Sequence, residues 1–363
     1  MPFVRRAGVG GSITILAAAL AAAATAAPPV SSEAAVRLLG EQIVAHGLRV
    51  DATTVGGLSG IDYSPRTDEY VLISDDRSIR DPARVYTARI PVGEHGVGPV
   101  TFTGTRTLRG PGGDTYPPDS IDPEELRVDP WTGDYLWSQE GDRGPHGLRD
   151  PSVRLARPDG SYLTDLPIPN NERMQPDSGP RGNGVLEGAT FAGGGALVVT
   201  SVEAPLLQDG PEATAGAGAL TRITVQARTG QLLAQYAYPL EPVFAPGPGA
   251  NGVASILAAD PLDPTKYLVL ERAFVEGAGT RIRIYSADTG PATDVLDAPL
   301  TGAHPVTKQL LTDLSTLDLP AVDNIEGMTW GPRLPSGERT LVLVSDDNFA
   351  DNQITQIVAL AVR

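Results

Sequence analysis

The sequence predicts an all-β chain built from a four-stranded unit repeated radially. Three observations lead there. The chain is rich in turn formers, with 41 Gly and 33 Pro, and shows few runs of helical periodicity. One pair of strands joined by a turn recurs along the chain, at intervals of 66, 62, 68 and 71 residues. Each interval leaves room for two further strands, and strand-like segments occupy that room.

The paired units are LSGIDYSPRTDEYVLISDDR (58–77), EELRVDPWTGDYLWSQEGDR (124–143), LEGATFAGGGALVVTSVE (186–203), ASILAADPLDPTKYLVLER (254–272) and IEGMTWGPRLPSGERTLVLVSDDN (325–348). Each has a short strand, a turn rich in Pro, Gly or Asp, and a more apolar strand that ends in acid. ARVYTARI with VTFTGTRTL, SVRLARP with SYLTDLPI, LTRITVQA with LLAQYAYPL, and RIRIYSA with VTKQLLTDL supply the outer strands of the first four units. The fifth unit has only TQIVALAV after it, so its outermost strand is expected from EQIVAHGLRV (41–50) near the start of the chain. Four antiparallel strands repeated about an axis form a β-propeller, which leaves only short, protected sheet edges. Five four-stranded blades are expected, with six as the alternative if one long connection forms a blade of its own. SSEAAVRLLGEQI (31–43) is the one stretch expected to start helically.

Before the first unit, MPFVRRAGVGGSITILAAALAAAATAAPP reads as a leader. Arg5 and Arg6 precede an Ala-rich apolar run, and Ala24-Thr25-Ala26 fits a small-residue cleavage site. The expected division is a signal peptide over residues 1–26 and a single propeller domain over 27–363. Loss of the leader takes the formal charge from −16 to −18. Such a surface repels nucleic acid and anionic lipid and gathers cations. With no cysteine, there is neither a lipid-anchor thiol nor a disulfide framework. An exported monomer, periplasmic or extracellular and without a stable membrane anchor once cleaved, is expected.

In an antiparallel hairpin the start of the first strand lies beside the end of the second. The innermost hairpins of a propeller therefore bring those paired ends to one mouth of the central channel. Taking Ser59, Glu125, Glu187, Ser255 and Glu326 as equivalent, the second strands end in Asp75 and Asp76, Glu140 and Asp142, Glu203, Glu271, and Asp346 and Asp347. So many carboxylates in one place need a cation or must hold protons. An oxygen-only set with few histidines suits Ca²⁺, with Asp75, Asp76, Glu140, Glu203, Glu271, Asp346, Asp347 and Asn348 as candidate ligands. Glu125, Glu187 and Glu326 are the candidate catalytic carboxylates, joined by His146 as a general acid or base. Arg77, Arg143 and Arg272 are candidates for holding a small anionic substrate, since a guanidinium fork matches carboxylate or phosphate. No nucleophile elbow, phosphate-binding loop, dinucleotide fingerprint or zinc motif is present.

GLSGIDYSP with YVLISDDRS, SQEGD, LEGATF, SVEAPLLQDG, YLVLERAF, and DNIEGM with VSDDNF occur in this order over nearly the whole chain after the leader. Together they resemble the "esterase-like activity of phytase" family. The resemblance implies an exported, phytase-like propeller that hydrolyses phosphate esters or other esters. The other expectation is a propeller without catalysis, whose acidic ring binds a ligand or cation. N-terminal sequencing of exported material is expected to find Ala27 first, because Ala24 and Ala26 occupy the small-residue positions and Pro28 disfavours a later cut. Recovery of a chain that still starts at Met1 would remove the leader.

Overall fold

The computed structural model describes residue 2 and residues 35–144, 147–182 and 184–363. The expected leader, and the start of the stretch expected to be helical, lie outside the described residues. Five four-stranded antiparallel sheets carry the fold. From inside outward, the first blade runs Leu58–Ser64, Glu69–Ser74, Arg84–Arg89, Thr101–Thr107. The second runs Pro123–Val128, Tyr135–Gln139, Ser152–Ala156, Tyr162–Leu166, and the third Gly188–Ala192, Leu197–Ser201, Ala219–Ala227, Leu232–Leu240. The fourth runs Gly249–Ala258, Lys266–Val275, Gly279–Asp288, Thr307–Asp313. The fifth comprises Ile325–Trp330, Arg339–Ser345 and Gln356–Val362, with Val36–Ile43 outermost. The five innermost strands pack against one another in cyclic order, so the sheets form a closed ring. No helix among the described residues is long and apolar enough to cross a membrane.

Five of the apolar cores lie between neighbouring blades, and each blade feeds two of them. In the fifth blade Leu341, Leu343, Val358 and Leu360 face the fourth blade, while Val342, Val344, Ile357 and Ala359 face the first. In the first blade Tyr70 and Leu72 face the fifth, and Val71 and Ile73 face the second. Successive side chains of a strand point to opposite faces. A sheet covered on both sides must therefore be apolar at every position, which is why TLVLV and IVALAV read as unbroken apolar runs rather than alternating ones.

The outermost strand of the fifth blade begins earlier than expected. It is Val36–Ile43, paired antiparallel from Val36 opposite Val362 to Ile43 opposite Gln356, with a bulge between Leu38 and Gly40. Residues 44–50 lie outside it, and Arg49–Val50 pairs instead with Thr53–Thr54. The expectation of a helical start fails over residues 36–43. Val36 and Leu38 pack on the core toward the fourth blade and Leu39 on the core toward the first. Edge pairing with both-sided burial outweighs a modest local helix preference.

The channel is blocked at its centre by Arg127. Its Nε donates to the Ala189 carbonyl at 2.8 Å and its Nη1 to that of Ile61 at 2.7 Å. Nη2 donates to the Ile256 carbonyl at 3.1 Å and meets a Glu125 carboxylate oxygen at 2.9 Å. Thus one side chain from the second blade ties carbonyls of the first, third and fourth. The Ser255 hydroxyl donates to Glu125 at 2.6 Å and completes the plug. Arg127→Met is expected to lower the unfolding free energy by about 3–5 kcal/mol, since it strands a buried carboxyl and several carbonyls. Glu125→Gln, which keeps an acceptor in place, is expected to cost only about 1 kcal/mol. Urea denaturation checks both, and equal costs would contradict the assignment of Arg127 as the tie.

Candidate functional site

The mouth is set by one backbone contact repeated around the ring. Asp75 N–H donates to the Gly57 carbonyl at 2.8 Å, Glu140 to Asp122 at 3.1 Å, Glu203 to Val185 at 2.7 Å and Asp346 to Asn324 at 3.0 Å. In the fourth blade Arg272 stands opposite Gly252 in the same place. The residues that end the second strands at the axis are therefore Asp75, Glu140, Glu203, Arg272 and Asp346. Two positions after the carbonyl residue come Ser59, Glu124, Glu187, Ala254 and Glu326. Bulges occur here in the first, second, fourth and fifth blades. Close packing of the inner strands follows at the next position: a Cβ on Gly60 would lie 2.8 Å from the Glu124 carbonyl, and one on Gly327 2.8 Å from that of Ser59.

Several of the expected residues are brought together. Glu187, Glu326, Asp75, Glu140, Glu203 and Asp346 surround the mouth, and Arg272 stands among them. Its Nη2 is 2.9 Å from Glu203 and its Nη1 3.0 Å from Glu326. Nη1 also donates to the Asn324 side-chain oxygen at 2.9 Å, while the Asn324 amide nitrogen donates to Glu326 at 3.0 Å. Arg272 Nε is buried without a hydrogen-bond partner.

Others lie elsewhere. Glu125 is one residue out of register: it turns into the plug, and Glu124 takes its place at the mouth. Ser255, also displaced by one, belongs to the plug as well. Glu271 points away from the axis to the seam between the third and fourth blades, where Tyr238 and Asn251 donate to it at 2.9 and 2.8 Å and Lys308 pairs with it. Asp76 accepts the N–H groups of Ile79, Arg80 and Asp81 and pairs with buried Arg84 at 2.8 Å. Asp347 accepts from Gly57 and Phe349 N–H, at 2.9 and 3.1 Å. Asn348 is exposed, at φ 46°, and its N–H donates to Asp346 at 2.7 Å. Arg143 is used up on the carbonyls of Gln175, Pro176, Ser178 and Pro180. Arg77 pairs with Asp119 at 3.0 Å and lies 3.5 Å from Asp122. His146 lies outside the described residues.

Asp122 and Glu124 are the mouth residues that the sequence reading missed. With Glu140 they each offer a carboxylate oxygen within 4.8 Å of the others, a buried acidic group able to hold a metal ion. Their signal was the doubled acid of DPEE, where a bulge shifts the register by one.

Burial, more than repulsion, raises the protonation range of these groups. Desolvation pushes Glu140 up to about 7, helped by Asp122 and Glu203 and opposed by the Val185 N–H. It pushes Asp122 up to about 6, with Arg77 and Arg149 opposing. Glu124 and Glu187 rise well above the usual range through burial and then through neighbouring carboxylates, as do Asp75 and Asp346. Glu326 rises through burial despite Arg272. Without a cation the mouth therefore holds protons more readily than free carboxylates do, and Glu140, at about 7, is partly protonated at neutral pH.

No curated protein matches the sequence. Residues 53–349 match the family described as Phytase-like: Esterase-like activity of phytase. The chain belongs to the phytase-like family. The matched span of this phytase-like chain contains all the inner hairpins and hence the whole mouth. Among solved structures it is similar to the periplasmic gluconolactonase PpgL of Pseudomonas aeruginosa, at 11% identity and TM-score 0.41, over 86% of this chain and 90% of that one. It is similar also to the α-L-arabinofuranosidase of Lactobacillus brevis, at 12% identity and TM-score 0.46, over 84% and 91%. Likeness at this level says nothing of chemistry.

The raised carboxyls fix a direction for stability. They bind protons more tightly folded than unfolded, so their contribution is fully present below the ordinary carboxyl range. It is lost as pH climbs from there through the folded value, about 7 for Glu140. In chelator the melting temperature is expected to fall between about pH 5 and about pH 8. Glu140→Gln keeps the acceptor for Gly184 and Val185 N–H and removes the charge. It is expected to recover about 2 kcal/mol at the alkaline end. A fall of the same size in the variant would contradict a role for Glu140 in the pH dependence.

Proposed function

We propose that the mature chain is an exported, calcium-dependent hydrolase that cleaves a small anionic ester, a phosphate ester foremost, at the acidic mouth. The observation that carries this reading is the convergence of Asp75, Asp122, Glu124, Glu140, Glu187, Glu203, Glu326 and Asp346 on one buried opening, with Arg272 among them and Arg77 beside Asp122. Oxygen-only donors suit a hard cation. Asp122, Glu124 and Glu140 would hold it first, with Glu187 and Asp75 close by. A bound Ca²⁺ would polarise a phosphoryl or carbonyl oxygen and acidify a bound water. Family membership supports ester hydrolysis as the reaction class.

The chain's own residues supply the rest. Arg272 ties Glu203 and Glu326 and fixes their orientation, and its unpartnered Nε is a donor left over for an anion. Glu187, which burial raises well above the ordinary carboxyl range, is the candidate to pass a proton to a leaving oxygen, while Glu140 gives up its proton to hold the cation. The binding-only reading has one observation in its favour: both Arg272 amino nitrogens are already occupied by side chains of the protein.

Ca²⁺ is expected to raise the melting temperature and chelation to lower it. A ligand present at about 100 times its dissociation constant adds about 2.7 kcal/mol to the folded state. Binding is expected to release protons, because the cation displaces them, and to tighten as pH rises toward about 7 and level off above it. Calorimetry in two buffers of different ionisation enthalpy measures the released protons. Glu326→Gln and Glu187→Gln are expected to reduce calcium-dependent turnover of p-nitrophenyl phosphate and p-nitrophenyl acetate by roughly tenfold or more. Arg272→Lys is expected to raise KM more than it lowers kcat, with the fold intact. Calcium binding without turnover of either ester would leave the binding propeller standing.

A further inference from the structure

At the end of the channel opposite the acidic mouth, the inner strands enclose a second pocket of about 400 Å³. The Arg127–Glu125 plug separates the two ends, and Arg127 forms part of this pocket's floor. Its walls are Tyr63, Phe191, Leu257 and Trp330, with Arg66 and Arg339 at the sides. In character it is the reverse of the mouth. The acids that reach it are already committed: Asp129 pairs with Arg228, and Asp62 accepts from the Thr329 hydroxyl at 2.6 Å and the Val128 N–H at 2.8 Å.

Arg66 and Arg339, by contrast, pair with no carboxylate among the described residues. Arg66 donates from Nη2 to the carbonyls of Pro130 and Trp131, both at 2.7 Å. Arg339 donates to the Ala259 carbonyl, and its guanidinium lies 3.4 Å over the Trp330 ring. Burial and nearby Arg333 lower the Arg339 pKa to about 10, with only Asp260 opposing. A half-buried cation against an aromatic face, with Asp260 nearby but no carboxylate paired to it, stands out in a chain of net charge −16. A planar acceptor with two oxygens matches the fork that such a guanidinium presents.

We propose that this pocket binds a small monocarboxylate with an apolar body, its carboxylate taken by Arg339 with Arg66 as a second cation and its body against Trp330, Phe191 and Leu257. Pockets of this kind hold ligands by apolar contact and take orientation from a few polar groups. The site is independent of the reaction at the acidic mouth, so the failure of one reading leaves the other untouched.

The test is calorimetry in EDTA with 4-phenylbutyrate, 4-phenylbutylamine and 4-phenylbutanol as matched probes. The acid is expected to bind one to one, the alcohol roughly tenfold more weakly, and the amine not measurably. Arg339→Gln is expected to weaken the acid by roughly tenfold or more, and Arg339→Lys by less, since Lys restores the charge but not the fork. Arg272→Lys, at the far mouth, is expected to leave the affinity unchanged. Melting curves check that each variant folds. Should Arg339→Gln fail to fold, Arg66→Gln carries the test with a smaller expected loss. Absence of saturable binding by the acid, equal binding of acid and amine, or an affinity indifferent to the Arg339 and Arg66 variants would overturn the proposal.

Discussion

One backbone hydrogen bond governs this molecule: the bond from the residue that ends the second strand of a blade to the carbonyl just before the first strand begins. It recurs at Asp75, Glu140, Glu203 and Asp346, and the fourth blade places Arg272 at the same point. The bond closes the inner hairpin and aims whatever follows it at the axis. Cyclic packing of the inner strands then brings these residues together, though they are far apart in sequence. The mouth is acidic because the chain puts carboxylates at that one position in every blade but the fourth, and again near the start of three inner strands.

That arrangement works against folding. Desolvation and mutual repulsion both disfavour ionised carboxylates in a buried ring, and Arg272 offsets only part of the charge. The opposing stability comes from elsewhere, from apolar cores wedged between neighbouring blades and from the Arg127 tie across the channel. A local conflict held in place by a consistent surrounding structure is the pattern expected of a functional site. The two ends of the channel also divide their chemistry, with carboxylates at one and arginines beside aromatic rings at the other.

Most of the fold was legible in the sequence because blade strands are covered on both faces. TLVLV, IVALAV and YVLIS are apolar without interruption, and the turns between them carry Gly, Pro and Asp. The site was legible only to within a residue. In LEGA and IEGM the acid stands directly before a glycine, and both Glu187 and Glu326 reach the mouth. The second and fourth blades have no such glycine: a bulge lets Glu124 take the mouth and turns Glu125 and Ser255 into the channel. Glu271 and Arg272 are adjacent, and strand alternation sends one to Lys308 and the other to the axis. Asp76 and Asp347, each adjoining a mouth carboxylate, are drawn off by backbone N–H groups. Apart from the doubled acid of DPEE and the glycine after Glu187 and Glu326, none of these choices has a compositional mark. The second pocket had no signal at all, since Arg66, Phe191, Trp330 and Arg339 are brought together only by closure of the ring.

That closure has a bearing on how the protein is made. The outer edge of the last blade is Val36–Ile43, among the first parts of the domain to leave the ribosome, and its partner Gln356–Val362 is among the last. Until that partner is synthesised the early strand has nowhere to pair, and the ring stays open on a bare sheet edge. Contacts between such distant segments form slowly, because a long loop must be closed before they gain anything. An unpaired edge meanwhile invites association with other chains. Completion of the last blade therefore waits until the whole span from Val36 to Val362 has been made. The open ring is the species that a chaperone would encounter.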